Sequence, residues 1–281
     1  FKIFVDSGDF LLPLVFFALF LGLNFSFDKV LTRPAVQLFE SLSRVFYHMA
    51  KFLNEILGLG IVVLAGFFVS HIRLSDEIEL YSQLILLLGL LTAFIVLGLY
   101  PALLYYFTGK RNPYKLLYAI AAPAVAAFFS GNSYFAMVPL TGHVKENLGV
   151  PRKVGAVTLP LFTLLSKAGT AMVTSITFVV ILKSYSSLGI GFSEILWIMS
   201  FSLLISLLTS ATPGLGVIAA LAAIAGLYGR GIEEGFLIVY PILPILNSFA
   251  VFLDTITSGL GSLVVSYSED NQKEIYAKDF I

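Results

Sequence analysis

Cysteine is absent, so neither a disulfide nor a thiolate-bound metal is available to this chain. Histidine is nearly absent too, and His48, His71 and His143 are scattered in a way that argues against a metal cluster. Charge is scarce: 12% of 281 residues, about half the fraction of an ordinary soluble domain. The formal net charge is zero, which points away from a polyanionic partner such as nucleic acid. Also missing is the apolar–polar alternation of a membrane β-barrel; "LYSQLILLLGLLTAFIVLGLY" (80–100) has none.

What remains is apolar. Hydrophobic residues make up 58% of the chain, and the mean hydropathy is +0.94. Several stretches reach the roughly 20 residues that cross a hydrocarbon core, so the sequence reads as an all-α polytopic membrane protein. Residues 10–27, 80–107, 155–183 and 236–266 read as spans. Segment 35–70 is longer than a bilayer needs, and its first half sets Glu40/Arg44 and Lys51/Glu55 at i,i+4 spacing, where opposite charges meet on one helix face. The chain begins with Phe and enters an apolar segment within about ten residues, so the native protein is expected to continue upstream.

Two apolar stretches, 116–141 and 193–228, are interrupted by small and polar residues: "SGNSYFAMVPL" (130–140) and "TSATPGLGVIAAL" (209–221). Backbone without partners in lipid costs several kcal/mol per group, so such a break must be buried in protein or face water. Basic residues mark cytoplasmic loops. Lys110, Arg111 and Lys115 precede the first interrupted stretch, and Lys145, Arg152 and Lys153 follow it, so it should enter and leave on the inside. The second is flanked by Lys183 and Glu194, then by Arg230, Glu233 and Glu234. With flanks poor in positive charge, it should re-enter from the outside. Lys29 and Arg33 then fall inside, "HIRLSDEIEL" (71–80) outside, and Lys273 and Lys278 inside. Two hairpins of opposite orientation, each followed by a helix, form an inverted repeat of the kind found in secondary transporters.

"LPLVFFALFLGL" (12–23), "FFSGNSYFAMVPLTGHVKENLGVPRKVGAVTLPLFTLLSKAGTAMV" (128–173), "TSATPGLGVIAAL" and "NSFAVFLDTITSGLGSLVV" (247–265) stand in the order and spacing of one known family. In these strings the chain resembles the dicarboxylate/amino acid:cation symporters, the glutamate-transporter family. The resemblance covers the family's fourth to eighth membrane segments and both hairpins. It implies an elevator fold and a homotrimer, multi-pass in a bacterial-type inner (plasma) membrane with a cytoplasmic C-terminus. Residues 1–109 would be scaffold and trimer contact, 110–268 a moving transport domain with hairpins at about 116–147 and 193–228, and 269–281 a cytoplasmic tail. It also implies a small-molecule solute, no organic cofactor, and Na+ or H+ as coupling ion.

The chemistry departs from the family pattern. Where the seventh segment of the family carries Asn-Met-Asp-Gly-Thr, this chain has Ser166-Lys167-Ala168-Gly169-Thr170, so alanine replaces a sodium-binding acid. The arginine that holds an acidic substrate aligns with Ala250, and the aspartate that holds the substrate amino group with Asn247. A second sodium-binding aspartate falls on Ser258 and a cation-region asparagine on Asp254. The resemblance carries substrate contacts to Asn132, Ser133, Thr170, Thr209, Ser210, Thr212, Pro213, Gly214, Gly216, Asn247 and Asp254. It carries the cation site, or its replacement, to Ser166, Lys167, Gly169, Asp254 and Ser258.

Lys167 lies in a segment that reads as membrane-spanning, where a charge costs at least roughly 2.5–3.5 kcal/mol. It and Asp254 are the two charges between 155 and 266 not assignable to a loop or a membrane edge. Lys167 is expected to be a built-in cation, paired with Asp254, making transport sodium-independent or proton-coupled. A purely structural pair is the alternative. A Ser166–Lys167 hydrolase is excluded because neighbours at i,i+1 do not face each other on a helix. A non-transporting relative, a solute sensor or small-anion leak channel, competes with transport of an amino acid or carboxylate. With no arginine at 250, a neutral amino acid or another small polar solute is expected.

Overall fold

A computed structural model describes residues 12–25, 31–73, 78–108, 112–185, 189–209, 214–229 and 231–268. Among these residues there is no strand. Three helical stretches are long and apolar enough to cross a membrane: Glu79–Phe107, Arg152–Ser184 and Gly235–Ser268. They coincide with three of the spans read from the sequence.

The first helix, α1 (Leu12–Phe25), has 14 residues, about 21 Å, and is shorter than a bilayer core. Helix α2 (Arg33–Arg73) runs 41 residues, about 60 Å, and the Glu40–Arg44 pair forms on it at 3.6 Å. Next comes α3 (Ile78–Phe94), a single π turn (Ile95–Leu99), and α4 (Tyr100–Phe107). The π turn has a cause. Pro101 has no N–H to give the Leu97 carbonyl, and its ring crowds that oxygen. The Tyr114 hydroxyl donates to the Leu97 carbonyl instead, at 3.1 Å.

The first interrupted stretch folds as α5 (Pro113–Ala119), α6 (Ala121–Ser130) and α7 (Ser133–Glu146). Asn112 caps α5, with Pro113 at the first helical position. A 50° bend separates α5 from α6. Pro123 again explains it: its missing N–H leaves the Ala119 carbonyl without a helical donor. The Asn147 side chain, at the far end of α7, donates to that carbonyl at 3.0 Å. So the asparagine of "NLGVP" pins the base of the first hairpin. At the tip, Gly131 takes φ +60°, and Asn132 caps α7 by accepting from the N–H groups of Tyr134 (2.9 Å) and Phe135 (3.4 Å).

The stretch 155–183 is not one helix. It divides into α8 (Arg152–Leu165) and α9 (Ala168–Tyr185), with a tight turn at Ser166 (φ −81°, ψ 82°) closed by the Lys167 N–H donating to Leu165 O at 3.0 Å. The second hairpin comprises α10 (Phe192–Leu208) and α11 (Gly216–Tyr228). Ser210, Thr212 and Pro213, expected at its tip, lie outside the described residues, as do Lys110, Arg111, Arg230 and the tail. A 3₁₀ segment (Gly235–Ile242) leads into α12 (Leu243–Ser268).

Helix α12 joins two cores. One gathers α3, α9, the second hairpin and the start of α12, through Leu88, Phe178, Ile198, Leu221, Leu246 and Ala250. The other gathers α4, the first hairpin, α8 and the rest of α12, through Leu104, Ile120, Leu140, Leu159, Leu253 and Leu263. The cores meet where α12 passes the α8–α9 break, and polar residues collect at that seam.

Candidate functional site

The break at Ser166–Lys167 exposes the first N–H groups of α9, which have no partner within their own helix. Lysine cannot cap them. Asp254 of α12 does: its Oδ1 accepts from the Gly169 N–H at 2.7 Å and the Thr170 N–H at 3.3 Å, and its Oδ2 accepts from the Thr170 hydroxyl at 2.7 Å. A carboxylate at a helix N-terminus also meets the positive end of the helix dipole. The approach requires Gly169, since a Cβ there would lie 2.2 Å from the Ala250 carbonyl oxygen and 2.7 Å from the Leu253 Cβ. Asp254 is 1% exposed.

Beside this cap lies a cavity of about 20 Å³, a little more than one water needs. Lys167, Thr170 and Asp254 line it. The first hairpin contributes Ser133 and Tyr134, and the second contributes Thr209, Gly214 and Gly216. Helix α12 adds Asn247 and Val251. The fold thus brings together most residues singled out from the sequence, from parts of the chain more than 100 residues apart. Tyr134 and Val251 were not foreseen, since neither carries a charge or stands at a position to which the family resemblance assigns a role.

Other expected residues stand elsewhere. Asn132 spends its side chain as the α7 cap. Asn247 donates from Nδ2 to the Gly131 carbonyl at 2.7 Å, tying the first hairpin's tip to α12. The Ser258 hydroxyl donates back to the Asp254 carbonyl at 2.8 Å, one turn beyond the cavity. The Ser166 hydroxyl is buried with no hydrogen-bond partner among the described residues. Ala250 packs against α9 at the crossing and does not line the cavity.

The ion pairs within 4 Å among the described residues are Arg44–Glu40, Lys145–Glu146 and Arg152–Glu40. Lys167 and Asp254 are near enough for each to feel the other's charge, without a direct ion pair between them. Asp254 turns toward α9, while the Lys167 ammonium sits over the Tyr134 ring, 5.8 Å from its centroid. Lys167 is nevertheless 8% exposed, so it is a buried cation beside a cavity with its nearest acid committed to a helix end.

The sequence model of the sodium:dicarboxylate symporter family matches residues 4–268. The chain belongs to this family. As a member of it with several apolar helices, the protein is embedded in a membrane. Among curated relatives of the family, it is similar to the proton/sodium-glutamate symport protein of Geobacillus stearothermophilus, 21% identical over 279 residues, 99% of this chain and 64% of the relative. It is also similar to the serine/threonine transporter SstT of Lacticaseibacillus casei (strain BL23), 26% identical over 167 residues, 59% of this chain and 37% of the relative. The neutral amino acid transporter A of Homo sapiens is 24% identical over 168 residues, 59% of this chain and 31% of the relative. The chain thus spans less than two thirds of the length of these relatives.

Proposed function

We propose that the protein is a secondary active transporter of a small organic solute, an amino acid or carboxylate, with the cavity at the α8–α9 break as its solute site. The observation that carries this is the convergence there of residues from both hairpins, a broken helix and two buried opposite charges, near the middle of two membrane-length segments. Its named relatives, a glutamate symport protein and serine/threonine and neutral amino acid transporters, support transport over a sensor or leak channel.

The two hairpins are re-entrant in this reading. Helix α7, with 14 residues, and α11, with 13, are each about 20 Å long, too short for a hydrocarbon core of about 30 Å. The moving unit runs from 78 to 268, wider than the 110–268 expected from the sequence. Tyr81, Leu84 and Leu88 of α3, and Tyr100 and Leu104 of α4, are buried in the same cores as the hairpins. Helices α1 and α2 are left as scaffold for a homotrimer and an elevator motion. In the about 20 Å³ cavity a whole solute does not fit, so entry requires the lining residues of the second hairpin, Thr209, Gly214 and Gly216, to move away from Thr170.

The residues do not fit a sodium ion at this break. A hard cation takes several oxygen ligands, carboxylates among them. Here one carboxylate is present, it already accepts three hydrogen bonds, and an ammonium shares the cavity. No group of three or more His, Asp or Glu side chains able to hold a metal occurs among the described residues. Lys167 therefore supplies the positive charge that a bound cation would bring.

Uptake into proteoliposomes holding the full native chain tests this. Replacing sodium by choline should leave the uptake rate unchanged within about twofold, and a superimposed pH gradient reports whether a proton moves with the solute. Uptake that collapses in choline would contradict the reading.

A further inference from the structure

We infer that Lys167 anchors a carboxylate of the solute, and that this solute bears no ammonium group beside that carboxylate. The inference deepens the transport reading above and rests on it for the site's purpose, though not for what the site binds.

A buried ammonium is costly unless a counter-charge or full hydrogen bonding compensates it. Among the described residues, the Lys167 ammonium makes no hydrogen bond and no ion pair within 4 Å; it faces the Tyr134 ring, and Asp254 acts on it only at longer range. The nearest acid does not answer this need. Asp254 is 1% exposed and accepts three hydrogen bonds from the start of α9. A carboxylate of the solute, placed within hydrogen-bond distance, would complete the ammonium. The rest of the cavity's first-hairpin wall is also donor-rich. Ser133 stands at the first position of α7, where the helix presents its positive end, and it lines the cavity. Two oxygens of one carboxylate match these two donors.

The one carboxylate lining the cavity, Asp254, is already engaged by three donors of α9 and shares the cavity with Lys167, so it is poorly placed to hold a second ammonium. Asn247 is uncharged, and its Nδ2 is fixed on the Gly131 carbonyl. The other acceptors there, the Asn247 Oδ1 and the Thr170 and Thr209 hydroxyls, are neutral; they fit a hydroxyl and offer an amine no counter-charge. The neutral amino acid expected from the missing arginine at 250 is thus replaced by a carboxylic acid. The cationic partner for that carboxylate is restored from a different position, 167, rather than from α12.

Matched acid and amide probes read this directly. Calorimetric or thermal-shift binding to the purified full chain would use propionate against propionamide, succinate against succinamide, and alanine. The acids should bind about tenfold or more tighter than the amides, the scale of one charge-assisted hydrogen bond, and alanine no tighter than propionamide. Lys167→Met should erase the acid–amide ratio, and Lys167→Arg should keep it. Equal binding of acid and amide, alanine binding tighter than propionate, binding of none of the five probes, or a ratio that survives Lys167→Met would overturn the assignment. If Lys167→Met does not fold, the wild-type ratio alone decides. Acid-selective binding without flux into vesicles would sink the transport reading and leave the anchor standing; alanine uptake without acid binding would do the reverse.

Discussion

Two charged junctions in this molecule look alike in the sequence and differ in kind. At the α9–α12 crossing, Asp254 is sealed between helices, holds three hydrogen bonds and faces a cavity of about 20 Å³. Where α2 meets α7 and α8, Glu40 bridges Arg44 at 3.6 Å and Arg152 at 3.3 Å beside a cavity of about 630 Å³, with side chains 49–70% exposed. The second junction has more ion pairs, yet exposed pairs contribute about 0–1 kcal/mol. The first has no direct ion pair, and its charges sit where each unmade bond is costly. Salt bridges are therefore a poor guide here to which charges matter.

The largest effect should come from Gly169→Ala. Its Cβ would overlap the Ala250 carbonyl, part α9 from α12 and pull Asp254 off its donors. A loss of about 3–5 kcal/mol is expected, read as a collapsed thermal-unfolding midpoint or loss of monodisperse protein in detergent. Tolerance of alanine there would break the contrast outright. Asp254→Asn keeps the shape but removes the charge and one acceptor from the α9 start, for about 2–3 kcal/mol in the same assay. Asn247→Ala frees the Gly131 carbonyl and should cost about 1–2 kcal/mol, while loosening the hairpin tip enough to raise proteolysis near Gly131. At the other junction, Arg152→Ala and Glu40→Gln should each shift stability by no more than about 0.5 kcal/mol; a shift as large as that of Asp254→Asn would erase the distinction.

Much of this was legible in the chain. The spans at 80–107 and 236–266 follow from apolar length alone, and the two interruptions from Gly, Asn, Ser and Pro within apolar runs. The division of 155–183 was not legible. Pro160 lies six residues upstream of Ser166, and no Gly or Pro marks Ser166 or Lys167 themselves. The break exists because Asp254, 88 positions away from Ser166, satisfies the N–H groups it frees, and no local propensity encodes a partner that distant. For the same reason Lys167 and Asp254 could be identified as buried charges, while their orientation could not. An acid near a lysine reads as a pair until the helix end competing for that acid is visible. Asn147 shows the opposite case: its motif was conspicuous, and its task at the Ala119 carbonyl emerged only with the Pro123 bend.

The central claim is that a lysine, and not a bound sodium ion, supplies the positive charge at the helix break. Titrating sodium chloride against choline chloride while following the unfolding midpoint of the wild type and of Lys167→Met tests it most directly. The account predicts identical wild-type midpoints in the two salts at every concentration. A sodium-dependent rise in the wild type, present and saturable with Lys167 intact, would contradict it.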